Sequence, residues 1–194
     1  MEAKEKLLKF LNKNDFVSLH EATEMGVGKM ALSRMVAEGK LYRPYKRIYT
    51  SHLDWLTDPL RKYAPVCTLY PDAIVCGVSA LTFYDLTDEE ERKIWLAFPQ
   101  EHRVVNQEYR IVYPQGPSYR LGVVEHLTKK RKVRIYDREK SVVDAFKFLP
   151  IDVAYKVLRG YLRLKDKDLD KLSRYAKQMR KPLDRVITVL LSDQ

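Results

Sequence analysis

The sequence predicts an α+β protein of two domains, and this prediction rests on length, composition and a change of pattern along the chain. The 194 residues suffice for two small domains or one of medium size. Apolar residues make up 45% of the chain, enough to fill a core, which excludes wholesale disorder. Helical periodicity occupies both ends of the chain, whereas short β-prone runs separated by turns occupy the middle.

The first domain is predicted over residues 1–52, as three short helices followed by a β-hairpin. Ser18 and Glu21 have the spacing of a capping box, which opens the second helix, and Gly26 ends it. The predicted helices span residues 2–12, 18–25 and 29–38, and the β-prone runs are 41–43 and 47–50. This order of elements is typical of a winged helix-turn-helix.

The second domain is predicted over residues 53–194, as an antiparallel sheet covered by a helical layer. The β-prone runs are separated by turns rich in Pro, Gly, Asn or charge, and from residue 137 onward the apolar period changes from two to 3.6. The predicted strands are 94–98, 109–113, 119–127 and 132–136, and the predicted helices are 138–148, 151–163, 166–180 and 183–191. Asp137 is predicted to cap the first of these helices.

The formal net charge of +10 favours a polyanionic partner, either nucleic acid or an acidic membrane face. The charge is concentrated at the two ends of the chain. Residues 1–50 carry 10 basic and 6 acidic side chains, residues 51–150 carry 15 and 14, and residues 151–194 carry 11 and 6. This distribution predicts two separate basic surfaces, one in each domain.

Several classes of protein are disfavoured. The chain lacks an uncharged apolar run of 18 residues, and its charged N-terminal segment does not resemble a secretory signal. Two cysteines cannot form a disulfide scaffold, which favours a reducing compartment, so we expect a cytoplasmic protein without a membrane span. The spacing of cysteines and histidines does not match a zinc motif, and no phosphate-binding glycine loop is present. We therefore expect neither a metal nor a cofactor.

The helix at 29–38 is predicted to read DNA. On a helical wheel, Ala31, Leu32, Met35 and Val36 form a buried stripe, which leaves the opposite face exposed. Arginine suits guanine acceptors in the major groove, and methionine suits a thymine methyl group. Basic side chains of the following hairpin would then reach the flanking phosphates. The predicted DNA-binding residues are Lys29, Met30, Ser33, Arg34, Arg43, Tyr45, Lys46 and Arg47. The alternative is a three-helix cap whose outer face is only solvated.

A second basic surface is predicted on the helix at 166–180, opposite its apolar stripe. Its residues are Lys167, Lys171, Arg174 and Lys181. They could contact the DNA backbone, dock an acidic partner, or form a solvated face. The basic run 129–132 lies between two predicted strands and is interpreted as a charged hairpin turn.

Metal-dependent nuclease chemistry is the enzymatic alternative. It needs acidic residues and a lysine held in fixed geometry around Mg²⁺. Asp85, followed by Glu91 and Lys93, has the right residue types. However, these residues fall in an acidic turn, and we therefore predict that the protein is not an enzyme.

Nearly the whole chain resembles the AbiEi antitoxins of bacterial type IV toxin–antitoxin systems. The run GVGKMALSRMVAEGKLYRPYKRIYT is similar to the N-terminal winged helix of that family. The later runs VSALTFYDLTDEE, IWLAFP, LGVVEH, VRIYDREKSVVDAFKF and AYKVLRGYLRLKDKDLDKLSRYAKQMR are similar, in order, to its C-terminal domain.

The resemblance implies a function that composition and spacing do not give. Such a protein binds inverted repeats in its own promoter and represses its operon as part of phage defence. It also counteracts a nucleotidyltransferase-like toxin, without obligatory direct contact. An adaptor that neutralises its toxin by direct binding is the alternative within this class.

Overall fold

A computed structural model describes residues 2–128, 131–181 and 183–192, and it shows mixed helices and strands, which confirms the α+β class. The chain forms two compact units. The first comprises Met1–Pro71 together with Leu127–Val133, and the second comprises Asp72–His126 together with Arg134–Gln194. The first unit therefore extends past the predicted boundary at residue 52 and includes a segment from much later in the chain.

The first unit contains four helices and a small antiparallel sheet. The elements are α1 (Glu2–Lys13), β1 (Val17–Ser18), α2 (Leu19–Glu24), α3 (Lys29–Ala37), β2 (Tyr42–Tyr45), β3 (Ile48–Thr50) and α4 (Ala64–Leu69). The three strands pair in the order β1-β3-β2. Leu7 and Leu11 of α1 pack with Leu32 and Met35 of α3 in one core, whereas Leu8 of α1 is exposed.

The predicted start of α2 is confirmed in atomic detail. Ser18 Oγ accepts a hydrogen bond from the Glu21 backbone N–H at 3.2 Å, and the Glu21 carboxylate accepts one from the Ser18 backbone N–H at 2.8 Å. The helix ends before Gly26, whose φ of 85° lies in the left-handed region that glycine tolerates. This turn lets Val27 enter the core before α3 begins.

The second unit combines a sheet with a layer of helices. Its elements, in chain order, are β4 (Ile74–Val75), α5 (Gly77–Phe83), β5 (Trp95–Ala97), β6 (Arg110–Val112), β7 (Val123–Thr128), β8 (Arg131–Tyr136), α6 (Arg138–Phe148), α7 (Ile151–Leu162), α8 (Leu169–Gln178) and α9 (Asp184–Ser192). The end of β7 and the beginning of β8 belong to the segment Leu127–Val133 of the first unit. Side chains of α5 to α9 share one apolar core that includes Val142, Leu158, Tyr161 and Leu172. No helix of the described residues is long and apolar enough to span a membrane.

The sheet of the second unit is mixed, so the prediction of an antiparallel sheet is wrong for two of its pairings. The strand order is β6-β5-β4-β8-β7, in which β4 runs parallel to β8 and β5 runs parallel to β6. The physical reason is that β4 lies between strands that are distant in sequence. It has only two residues, too few to show a period, and parallel neighbours require long connections.

The predicted cap of α6 is confirmed. The Asp137 carboxylate accepts a hydrogen bond from the Lys140 backbone N–H at 2.8 Å. One turn further on, the fully buried Lys140 ammonium lies 2.6 Å from the Asp144 carboxylate. The start of α6 therefore carries several buried charged side chains. Their ion pairs determine which basic side chains of α8 remain exposed.

Candidate nucleic-acid interface

The exposed face of α3 has the composition that the helical wheel predicts. Leu32 and Met35 are buried, whereas Lys29, Ser33 and Arg34 are exposed. The large apolar side chain of Met30 is 83% exposed. The helix thus presents two cations, a hydroxyl group and a thioether on its exposed face.

The hairpin of β2 and β3 presents three further cations. Arg43 lies on the exposed edge of β2, and Tyr45 is half-buried beside Pro44. Because Tyr45 pairs with Ile48, only Lys46 and Arg47 form the turn, and both are exposed.

Arg47 occupies a backbone conformation that arginine rarely adopts. Its φ is 66°, in the left-handed region where an L side chain meets the following carbonyl group. The Arg47 carbonyl accepts a hydrogen bond from the Leu19 backbone N–H at 2.8 Å, which ties the turn to the start of α2. Conformations of this kind persist where the surrounding structure enforces them, and they are common at functional sites.

The cations of this face are not neutralised within the described part of the chain. Lys29, Arg34, Arg43, Lys46 and Arg47 form no ion pair with a described residue. Glu38, the acidic residue that follows α3, is already engaged, because the Lys40 ammonium lies 2.8 Å from its carboxylate. The hydrogen bond from Lys40 lowers the pKa of Glu38. The face is therefore electropositive.

The N-terminus of α3 lies next to these cations and has no side-chain cap. Gly28 occupies the cap position, where a Ser, Thr, Asp or Asn side chain would accept a backbone N–H. The first N–H groups of α3 thus remain available to an anion. The exposed ammonium of Lys29 adds a positive charge at this end of the helix.

The second predicted surface is not a continuous basic face, because Lys171 is neutralised. Its ammonium lies 3.0 Å from both the Asp137 and the Glu139 carboxylates, and its side chain is only 28% exposed. Partial burial acts to lower the pKa of Lys171, but the hydrogen bonds to the two carboxylates outweigh it and raise that pKa. The prediction that Lys171 forms part of an exposed basic face opposite the apolar stripe is therefore wrong, because its side chain is partly buried and paired with two carboxylates. The cause is the acidic start of α6, against which α8 packs.

The other residues of that surface differ in exposure. Arg174 and Lys181 are exposed, and neither forms an ion pair with a described residue. Lys167 is half-buried and donates a hydrogen bond to the Leu164 carbonyl at 3.1 Å. What remains of the second surface is Arg174 and Lys181.

Arg131 is a structurally important residue that the sequence did not reveal. Lys129 and Lys130, which belong to the run predicted as a charged turn, lie outside the described residues. Arg131 begins β8 instead of lying in the turn, and its guanidinium lies 2.8 Å from the Glu21 carboxylate and over the Phe16 ring. Because Phe16 and Arg131 are 115 residues apart, no local pattern links them.

The residues of the nuclease alternative have other partners. The Glu91 carboxylate accepts a short hydrogen bond from Ser79 Oγ, and the Lys93 ammonium donates to the Gln107 carbonyl at 2.7 Å. Asp85 follows α5 with a φ of 55°. In the described ranges, no three His, Cys, Asp or Glu side chains are grouped so that they could hold a metal ion.

Comparison with known proteins adds no family assignment. No protein-family model matches the chain, and no curated protein matches it significantly.

Proposed function

We propose that the protein is the DNA-binding autorepressor and antitoxin of a bacterial toxin–antitoxin operon, and that it acts in the cytoplasm. The first unit serves as a winged helix-turn-helix, in which α3 reads the major groove and the β2–β3 hairpin contacts phosphates. The observation that supports DNA binding is the set of five exposed cations on α3 and the hairpin, none of which forms an ion pair with a described residue.

The geometry supports a division of roles between these cations. Arg34 lies in the middle of the exposed face of α3, where a side chain reaches base edges. Lys46 and Arg47 lie at the tip of the hairpin, where side chains of a wing meet the backbone. The antitoxin role rests on the resemblance to the AbiEi antitoxins, which extends through the helical layer of the second unit.

Salt dependence tests the DNA-binding half of the proposal. Duplexes that bind the protein are first selected from a random library. The selected duplex is then titrated with the protein by fluorescence anisotropy at several salt concentrations. If about six to eight phosphates are neutralised, log K falls with log[salt] at a slope of roughly −5 to −7. A flat salt response, or no enriched sequence, contradicts DNA recognition.

Two alanine variants separate base reading from backbone contact. Arg34→Ala should weaken binding to the selected duplex by about 1–3 kcal/mol and leave binding to random DNA nearly unchanged. Lys46→Ala should weaken both and reduce the salt slope by about one. Lys165→Ala, which removes an exposed cation of the second unit, is the matched control. Identical behaviour of the first two variants contradicts the assigned roles.

Co-expression with the product of the neighbouring gene tests the antitoxin half. The full-length protein should restore growth of cells in which that gene is toxic. Size-exclusion chromatography of the co-expressed pair then distinguishes a stable complex from neutralisation without contact.

A further inference from the structure

Arg131 makes one contact with Glu21 of α2 and two with Phe16, which precedes β1, all inside the first unit. Its Nη1 lies 2.8 Å from Glu21 Oε1, its Nη2 lies 3.4 Å from the Phe16 carbonyl oxygen, and its guanidinium carbon is 4.7 Å from the centre of the Phe16 ring. The Arg131 side chain is 16% exposed and that of Glu21 is 26% exposed. An arginine this deeply covered is a poor candidate for a phosphate contact.

Glu21 uses its two carboxylate oxygens for two different partners. Oε2 accepts the Ser18 backbone N–H in the capping box, and Oε1 meets Arg131. Burial acts to raise the pKa of Glu21, but the hydrogen bonds from Arg131 and Ser18 outweigh it and lower that pKa. Glu21 is therefore a charged link between the N-terminus of α2 and residue 131.

The start of α2 is also connected to both parts of the proposed DNA interface. The Leu19 backbone N–H donates to the Arg47 carbonyl at 2.8 Å, which fixes the tip of the hairpin. At the other end of α2, the Val27 backbone N–H donates to the Ala22 carbonyl at 2.8 Å, and this bond sets the turn into α3. A change in the orientation of α2 thus displaces α3 and the hairpin together.

From this arrangement we infer that Arg131 is a positioning residue for DNA recognition, which holds α2, and through it α3 and the Lys46–Arg47 turn, in the orientation that reads a specific sequence. This inference rests on the proposed DNA-binding function. It adds that the segment 127–133 is an integral part of the DNA-binding unit, although it follows α3 by about ninety residues. Arg131 itself need not touch DNA.

The test compares Arg131→Gln, Glu21→Gln and the double variant in the full-length protein. Glutamine at position 21 still accepts the Ser18 N–H, so the capping box is kept while the charge that meets Arg131 is removed. Each single variant should lose about threefold to tenfold in affinity for the selected duplex, and the double variant should lose little more than Arg131→Gln alone, because both changes remove the same contact between Arg131 and Glu21. Affinity for random DNA and the salt slope should stay close to those of the unmodified protein.

A phosphate contact gives a different result. In that case Arg131→Gln lowers the salt slope by about one and weakens binding to random DNA as well, which overturns the inference. Lys165→Gln, which removes an exposed cation of the second unit, provides the reference for plain charge loss. Arg131→Lys keeps the positive charge but loses the guanidinium group, whose two nitrogens contact Glu21 and the Phe16 carbonyl. If Arg131 acts by positioning, the affinity of this variant for DNA should therefore resemble that of Arg131→Gln.

Failure of the inference is distinguishable from failure of the proposed function. If the unmodified protein selects no sequence, DNA recognition itself is refuted. If it selects one and both Arg131→Gln and Glu21→Gln retain full affinity, only the role of Arg131 is refuted. If Arg131→Gln does not fold by circular dichroism, the Glu21→Gln variant decides: unchanged sequence preference contradicts the inference, and reduced preference supports it.

Discussion

At the scale of single residues, Arg47 combines an unfavourable backbone conformation with an exposed, unpaired charge. The left-handed region costs an ordinary residue about 1–2 kcal/mol, and glycine avoids this cost. Glycine or asparagine is the usual residue at such a turn position. The presence of arginine at a φ of 66° is explained if its charge is needed at the tip of the hairpin.

Substitutions at Arg47 separate the conformational cost from the charge. Arg47→Gly should leave the free energy of unfolding unchanged or raise it by up to about 1 kcal/mol, since relief of the left-handed cost exceeds the entropy that glycine adds to the unfolded chain. DNA affinity should fall and the salt slope should decrease by about one. Urea denaturation and anisotropy titrations measure the two effects.

Arg47→Ala is the matched control for this prediction. Alanine removes the charge but keeps the Cβ atom, so it should lose the same DNA affinity without any gain in stability. If both variants bind DNA as tightly as the unmodified protein, the hairpin tip does not contact phosphates.

The sequence predicts the face of a short helix well and long-range contacts poorly. The exposed positions Lys29, Ser33 and Arg34 follow from the period of α3 alone, because its own stripe of apolar residues fixes which side is buried. The role of Arg131 depends on a strand that reaches Glu21 across most of the chain. The residues around Arg131 show no pattern that predicts its contact with Glu21.

At the scale of elements, α8 shows why a helical wheel cannot define a surface by itself. The wheel places Lys171 opposite the apolar stripe, but it carries no information about the acidic N-terminus of α6. Asp137 is predicted from sequence as a cap, and the structure adds that the same carboxylate also binds Lys171 and accepts a hydrogen bond from Tyr175. The Asp137 side chain therefore caps α6 and also binds two side chains of α8.

Charge reversals at two nearby positions of α8 should change the free energy of unfolding by very different amounts. Lys171→Glu places a third carboxylate beside Asp137 and Glu139, and it should lower the free energy of unfolding by about 2 kcal/mol, less than the roughly 3–5 for a fully buried pair because the lysine is partly exposed. Arg174→Glu, at an exposed site without an ion pair, should change stability by no more than about 0.5 kcal/mol. Urea denaturation of both variants measures the difference.

Arg174→Glu also decides what remains of the second basic surface. Reduced affinity for the selected duplex, with unchanged stability, assigns Arg174 to the DNA backbone. Unchanged affinity assigns this face to a protein partner or to solvent. Lys171→Glu cannot serve this purpose, since a loss of affinity in that variant is confounded with a loss of stability.

At the scale of the whole molecule, the compact units divide the chain later than the sequence pattern suggests. The Pro- and Asp-containing stretch after residue 52 has the composition of a junction, yet it continues into α4, which contacts β1 and belongs to the first unit. Its side chains Tyr63, Ala64 and Val66 are almost completely buried. The composition of the stretch after residue 52 predicts its turns, but it does not predict how the helix that follows is packed.

Truncations at the two candidate boundaries should therefore behave differently. Residues 1–52 lack the apolar side chains of α4, and so small a module has little core to offset its chain entropy. Residues 1–71 keep that core, and only the segment 127–133 is missing from their unit. We expect a cooperative thermal transition by circular dichroism for residues 1–71 and none, or a much lower midpoint, for residues 1–52.

The complementary fragments extend this prediction to function. Residues 53–194 carry α4 without β1, which α4 contacts in the whole chain, so they should aggregate more readily than residues 72–194, as measured by light scattering after purification. Both lack α3 and the hairpin and should not repress a reporter fused to the selected duplex. Relief of toxicity should be stronger for residues 72–194, because exposed Tyr63 and Val66 reduce the soluble amount of the longer fragment. Equal solubility of these two fragments, together with an equally cooperative transition for residues 1–52 and 1–71, would place the boundary at residue 52 after all.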